Sequence, residues 1–333
     1  MSRSPEFFRE LYHRSGQEQC GYAEGSGDRL QEYFRHAGRG GDMMEGKRLS
    51  LMTFNFSKDY HKKTMTVQDS LMLAADEGIP YVDVMRADAK SASEYRKAMA
   101  ATGVQIYCYI SCISFFAKKQ AICAALDRDM AVAKSLKAKS FMIVPYYMMI
   151  DNPKAKRLGR ERVLELMVSG FRMAVEKGNE YGLKVCFETT PAEEIRLSGT
   201  EDCKYVLERV PGLGLVFDTA NMLPHGDETL AACEMLREFI VHVHLKDVAL
   251  AKPKFSLLPD ERTADGRLMK GTVFGQGVIP VGEIYERMKQ SGYTGVFAIE
   301  YIHPDNRACT LSEHKSELAK YLTYLDGGNM NVP

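Results

Sequence analysis

The sequence predicts one closed (β/α)8 barrel, a TIM barrel of the α/β class, preceded by an N-terminal extension. Three observations lead there. From Lys47 onward, short apolar runs alternate with longer segments of helical period, the pattern of repeated βα units around a parallel sheet. The runs number about eight over about 280 residues, the size of a single closed barrel. No G-x-G-x-x-G follows the first run, as an open dinucleotide-binding sheet would carry.

The strands are expected at 49–54, 81–85, 104–110, 140–145, 184–189, 213–218, 240–245 and 296–301. Between them lie helical segments such as VQDSLMLAADEG, SASEYRKAMAATG and RERVLELMVSGFRMAVEKGNEYG, several of which end in the glycine that caps a helix C-terminus. Residues 1–46 differ in being rich in Gly, Arg and Glu, with a helix signal where Ser4 and Pro5 precede FFRELYHR. They are expected to form an added arm, docked on the domain or on a neighbouring subunit of a homo-oligomer. The catalytic domain is expected at 47–326 and a short tail at 327–333. No helical pattern occurs between Val248 and Pro280, where Lys252, Lys254, Arg262, Arg267 and Lys270 lie. A connection that long, leaving the C-terminal end of the seventh strand, is expected to serve as a lid or pocket wall.

Composition narrows the function. The 333 residues are 45% hydrophobic and 26% charged, enough to bury a sizeable core. Forty-four basic residues balance forty-four acidic ones, so no whole-protein field gathers nucleic acid or anionic lipid, and neither is expected as a partner. No signal-peptide-like or bilayer-spanning apolar run is visible, and a cytoplasmic protein is expected. The eight cysteines are scattered, without a CxxC pair, and read as buried thiols.

The chemistry resides in four consecutive predicted strands, each ending in a group that can bind a metal: VCFE at Glu188, LVFD at Asp218, HVH at His244 and AIE at Glu300. Strand side chains alternate between faces. The intervening Val185, Phe187, Leu215, Phe217, Val241, Val243, Phe297 and Ile299 are all apolar, as helix packing requires, which turns the four ligands inward. Three carboxylates and an imidazole converging in a barrel mouth repel one another unless a divalent cation lies among them. Pairing with Lys or Arg is the other way to neutralise them, but no basic residue sits at matching depth on these strands. Such a donor set suits Mn2+, Mg2+ or Co2+ best, with Zn2+ also open.

The motifs FETT with Glu188, FDTAN with Asp218, HVHLKD with His244, GQGVIPVGEI, and GYTGVFAIEY with Glu300 together resemble the xylose isomerase-like TIM barrels. That family includes ketose 3-epimerases, hydroxypyruvate isomerase and, more distantly, endonuclease IV. The likeness runs from residue 49 to about 325. It implies that Glu188, Asp218, His244 and Glu300 hold one catalytic divalent ion, commonly manganese in the epimerases, and that Glu188 and Glu300 also shuttle the substrate proton. A metal on the carbonyl and adjacent hydroxyl oxygens of a ketose stabilises an enediolate and acidifies the neighbouring C–H. The resemblance places a substrate-binding carboxylate at Glu194, beside Glu193. It also marks two departures, Leu250 where epimerases often carry arginine and Asn221 where many members have histidine. Asn221, Lys246 and Asp247 are therefore the polar candidates for substrate binding.

Other groups stay open at this point. His242 is in phase with His244 one layer deeper and reads as a hydrogen-bonded core imidazole, while His225 and His303 lie in loops near the mouth. Asp83 points inward from the second strand, either to bond hydroxyls or to hold a lysine. Tyr107, Tyr109, Phe115, Phe116, Tyr146 and Tyr147 are candidates for an aromatic half of the pocket or for packing. The leading expectation is a metal-dependent isomerase or epimerase of a sugar, sugar phosphate or sugar acid. The same scaffold also supports a carbon–oxygen or carbon–carbon lyase, such as a dehydratase or an enzyme cleaving 3-keto-glycosides. An abasic-site nuclease or a non-catalytic sugar-binding barrel fits less well.

Overall fold

The structure, a computed structural model, describes residues 48–144, 158–189, 199–251, 262–301 and 307–327. Strands β1 (Leu49–Met52), β2 (Tyr81–Met85), β3 (Gln105–Ser111), β4 (Ser140–Ile143), β5 (Lys184–Glu188), β6 (Gly214–Asp218), β7 (Ile240–Leu245) and β10 (Phe297–Ile299) close into one barrel. They run in that order around the barrel, all in parallel, and β10 pairs back onto β1. Every predicted strand is present, most of them shortened by one or two residues at an end. The expected extension at 1–46 lies outside the described residues.

Between β7 and β10 the chain forms a feature that the periodicity did not reveal. Strands β8 (Asp247–Ala251) and β9 (Leu268–Thr272) pair antiparallel as a separate two-stranded sheet. DVALA and LMKGT are short, and the second contains a glycine, so neither has the branched, alternating character that marks a strand locally; their pairing is a tertiary event. The expected long loop is thus a hairpin over part of its length, with Arg262, Arg267 and Lys270 on it and Lys252 and Lys254 outside the described residues.

The helices obey their local signals. Thr66 and Thr310 cap the helices Val67–Asp76 and Leu311–Leu325, each in a reciprocal box with the acid three residues on. The helices Ala89–Thr102 and Arg160–Tyr181 end at Gly103 and Gly182 with φ of 76° and 72°, a left-handed turn that a Cβ would disfavour.

Two apolar layers result. Val185, Phe187, Leu215, Phe217, Val243, Phe297 and Ile299 join the layer between barrel and helices, as the alternation predicts. Inside the barrel, Met52, Cys108, Ile110, Met142, Cys186 and Val216 form a smaller cluster. Burying one such aromatic or branched side chain is worth about 1.5–3 kcal/mol, so this alternation fixes which residues face inward.

Two bulges break the alternation and correct the sequence reading. On β3 the register steps from Val82↔Ile106 to Asp83↔Cys108, leaving Tyr107 as the extra residue. Tyr107 therefore packs against the interior cluster, edge-on to Tyr81, while Tyr109 turns outward and stacks on Phe141. Phe115 packs edge-on against Phe171 on the Arg160–Tyr181 helix. These three are packing residues rather than the expected pocket aromatics; Tyr146 and Tyr147 lie outside the described residues.

The second bulge sits on β7, between Leu215↔Ile240 and Val216↔His242. It turns Val241, expected outside, against the interior cluster, where it fills the space over Gly214. A Cβ on Gly214 would lie 2.5 Å from Val241 Cγ2, a β-branched group that is stiff at χ1. Gly214→Ala is therefore expected to cost about 1–3 kcal/mol. Denaturant unfolding checks it, and an unchanged midpoint would contradict this packing.

Candidate metal centre

The parallel strands end at a common level, and their last inward positions converge. Glu188 and Asp218 are the final residues of β5 and β6, and Asp218 is in register with His244 on β7. Glu300 follows β10 directly, where its backbone N–H donates to Leu245 O at 3.0 Å. One ligand atom from each of Glu188, Asp218, His244 and Glu300 lies within 4.8 Å of all the others, and all four residues are buried. Nδ1 of His244 is 2.6 Å from Glu188 Oε1 and 3.2 Å from Glu300 Oε2.

A basic residue does reach this depth, contrary to the sequence reading. Lys246 Nζ lies 3.3 Å from Glu300 Oε1 and 3.9 Å from Asp218 Oδ2, and the residue is only 5% exposed. It sits just beyond the end of β7, two residues after His244, and so keeps the inward phase that a search confined to the strands overlooks. Its backbone is held by Thr219, whose hydroxyl donates to Lys246 O at 2.7 Å and accepts from Lys246 N at 2.8 Å.

One lysine and one imidazole do not satisfy three buried carboxylates. Burial, reinforced by Glu300 and Glu188, pushes Asp218 up to about 8 despite the pull of Lys246. Burial likewise raises Glu188 against the influence of His244. It also works against the charged form of Glu300, but Lys246 and His244 outweigh it and hold that carboxyl down at about 2. His244 is raised well above the usual imidazole range, since Glu188, Asp83 and Glu300 overcome the cost of burying its cation.

Unsatisfied atoms remain at the centre. Asp218 Oδ2 and Glu300 Oε2 are fully buried without a hydrogen-bond partner among the described residues. Asp218 Oδ1 accepts from the amides of Ala220 (2.8 Å) and Asn221 (3.1 Å), which aims Oδ2 into the cluster. Orphaned carboxylate oxygens, oriented and converging beside an imidazole nitrogen, fit a divalent metal ion held by three carboxylates and one nitrogen.

The other predicted residues divide. Asn221 is buried beside the centre; its amide donates to Thr189 O at 2.8 Å and its Oδ1 has no hydrogen-bond partner among the described residues. Asp247, expected to contact substrate, is occupied elsewhere. Its Oδ1 accepts from the amides of Val248 and Ile279 and its Oδ2 from those of Gly275 and Gly277, so it pins the GQGVIP loop to the hairpin. Glu193, Glu194 and His303 lie outside the described residues, and His225 ends the short 3-10 turn Leu223–His225.

Below the centre, Asp83 holds a histidine rather than a lysine or a hydroxyl group of substrate. His242 Nε2 is 2.5 Å from Asp83 Oδ2, and both side chains are fully buried. Asn55, which sequence reasoning passed over, clamps the backbone around Glu300: it donates to Ile299 O at 3.1 Å and accepts from Tyr301 N at 3.0 Å. An asparagine in a turn after β1 carries no sign of a partner some 245 positions away.

The sequence profile of the family described as xylose isomerase-like TIM barrel matches residues 71–321. The chain belongs to this family. An inosose dehydratase of Lacticaseibacillus casei is 23% identical over 176 residues, covering 51% of this chain and 55% of that protein. The chain thus spans about half the length of the curated relatives it matches. Among solved structures of the fold, the IolI protein with a bound zinc atom superposes with a TM-score of 0.66 at 16% identity, covering 85% of this chain and 99% of that one. The probable 3-DHS dehydratase AsbF from Bacillus anthracis gives 0.62 at 16% identity, with 85% and 99% covered. Among the described residues no helix is long and apolar enough to cross a membrane.

Proton competition at the centre gives a measurable outcome. Because Asp218 lies above its unfolded value, its contribution to ion-free stability is complete below about pH 4 and is lost as the pH rises through about 8. A divalent ion must displace that proton at low pH and meets a bare carboxylate at high pH. Saturating Mn2+ or Zn2+ is therefore expected to raise the unfolding temperature more at pH 8 than at pH 5.5. Differential scanning fluorimetry at the two pH values decides, and an equal or smaller rise at pH 8 would count against this arrangement.

Proposed function

We propose that this chain is a divalent-metal enzyme that removes a proton from carbon next to a carbonyl in a sugar, sugar phosphate or sugar acid, and returns it as an isomerase or epimerase. The observation that carries the reading is the placement of Glu188, at the end of β5, and Glu300, just after β10, on strands separated by β6 and β7 and with both carboxylates within 3.2 Å of one imidazole nitrogen. Two carboxylates flanking a single centre can address two faces of a bound carbon. Their environments also push them apart, Glu188 upward and Glu300 downward, the asymmetry that an acid and a base of one pair require.

The ion, for which Mn2+ is proposed on the strength of the oxygen-rich donor set and Zn2+ is the alternative, would polarise the carbonyl and the adjacent hydroxyl of the substrate so that the neighbouring C–H becomes acidic. Glu300, ionised, accepts a proton on its side, and Glu188 supplies one from the other, which inverts the carbon. Return of the proton to the neighbouring carbon instead exchanges aldose and ketose. Lys246, beside Glu300, holds negative charge that develops on substrate oxygen, and Asn221 Oδ1 is placed to accept from a hydroxyl. Glu194 is retained as a substrate-binding carboxylate.

A second reading, dehydration, is favoured by a specific observation. The curated relative is named a dehydratase, as is one structural neighbour, and Lys246 offers an ammonium that can protonate a departing hydroxide on the Glu300 side. Loss of that group from the next carbon would then replace return of the proton.

Metal-loaded protein incubated with ketoses, keto-inositols and 3-keto-glycosides in D2O, followed by NMR, separates the readings. Deuterium entering at carbon with an isomer formed supports the first, whereas loss of water or of an aglycone supports the second. Glu188→Gln and Glu300→Gln are each expected to lower kcat by roughly 10²–10⁴ with the fold retained by circular dichroism. Near-normal turnover in both variants would refute these assignments.

A further inference from the structure

We infer that Asp83, locked from behind by His242, is a positioning residue that dictates which nitrogen of His244 is presented to the metal. The inference rests on the four-residue centre being a metal site, and concerns a fifth and a sixth residue beneath it. The decisive observations lie in the interior layer just below His244. Asp83 Oδ1 accepts from the Ser50 hydroxyl at 2.7 Å, and Oδ2 lies 2.5 Å from His242 Nε2. His242 Nδ1 is 2.9 Å from the carbonyl oxygen of Val296, which can only accept, so Nδ1 carries a hydrogen and the ring cannot flip without losing both contacts. The rings of His242 and His244 stand edge to face, 5.1 Å apart at 89°, so His242 also bounds the space in which His244 can turn.

Asp83 is thereby immobilised with the same Oδ2 facing His244 Nε2 at 3.5 Å, the outer edge of hydrogen-bonding distance. That nitrogen has no hydrogen bond of normal geometry among the described residues, and Asp83 Oδ2 is the acceptor it faces. A carboxylate there favours the tautomer with hydrogen on Nε2, which leaves the Nδ1 lone pair aimed at Glu188, Asp218 and Glu300. A fixed acceptor behind a ligating imidazole sets its tautomer and orientation in this way in metal sites generally.

Asp83, His242 and His244 are themselves close enough to suggest a second ion. The geometry speaks against it. Both oxygens of Asp83 and both ring nitrogens of His242 already have hydrogen-bond partners, whereas the centre above keeps carboxylate oxygens without one among the described residues.

The test uses the full chain and two probes. Titration of metal-free protein with Mn2+, followed by calorimetry or by loss of the free-ion EPR signal, is expected to give one ion per chain. Asp83→Asn, folded by circular dichroism, is expected to bind it about 10–100-fold more weakly. Nitrogen-15 NMR of histidine-labelled wild-type protein, ion-free and Zn2+-loaded, reads the tautomer directly. One imidazole is expected to shift on loading, with Nδ1 metal-bound and Nε2 protonated. Metal on Nε2, two ions per chain, or a folded Asp83→Asn with unchanged affinity would each overturn the inference while leaving the metal centre standing. A wild-type protein that binds no divalent ion would overturn both. Should Asp83→Asn fail to fold, the wild-type NMR measurement alone decides.

Discussion

Three buried carboxylates are held around one imidazole with too little positive charge to balance them, and the upper half of this barrel is organised around that imbalance. Like charges about 4 Å apart repel by roughly 4 kcal/mol at an effective dielectric of about 20, so a bare cluster of this kind is costly. The chain answers in part with Lys246 and His244, and in part by leaving a proton on Asp218 up to about pH 8. Oxygens buried at the centre without a hydrogen-bond partner among the described residues are the residue of an incomplete solution, which a divalent ion would complete.

Every supporting contact keeps that convergence in register. Period-two alternation turns His242 and His244 inward together, and Gly214 makes room for Val241, which the bulge on β7 displaces. Backbone amides of Ala220 and Asn221 point Asp218 at the centre, Thr219 ties down Lys246, and Asn55 brackets Glu300 from both sides. Asp247 gathers four amides and ties the GQGVIP loop to the hairpin insertion. The side chains at the centre are thus supported by rigid elements, the condition for a preorganised site.

Lys246 is where structure most changes the functional picture. Read as a substrate-binding side chain near the mouth, it is found as a buried counter-charge between Glu300 and Asp218. It separates the two glutamates electrostatically, lowering Glu300 while Glu188 is raised by burial. Under either proposed reaction it would supply an acid where an oxygen or a leaving group develops charge, so that isomerisation and elimination are chemically close.

The sequence by itself determined the eight strands, most of their inward and outward faces, and the convergence of Glu188, Asp218, His244 and Glu300, because period-two alternation and apolar burial are local signals that each strand carries alone. Its profile over residues 71–321 also secures the family. Tertiary structure alone decided what depends on pairing between strands. The two bulges sent Tyr107 and Val241 against the interior cluster and Tyr109 outward, since a one-residue register step is a property of neighbours and not of a segment. The β8–β9 hairpin, the reach of Lys246, the occupation of Asp247 by backbone amides and the Asp83–His242 pair likewise join residues distant in the chain or just beyond a strand end. Alternation predicts which way a side chain points, but the group it meets there is set by the closure of the barrel.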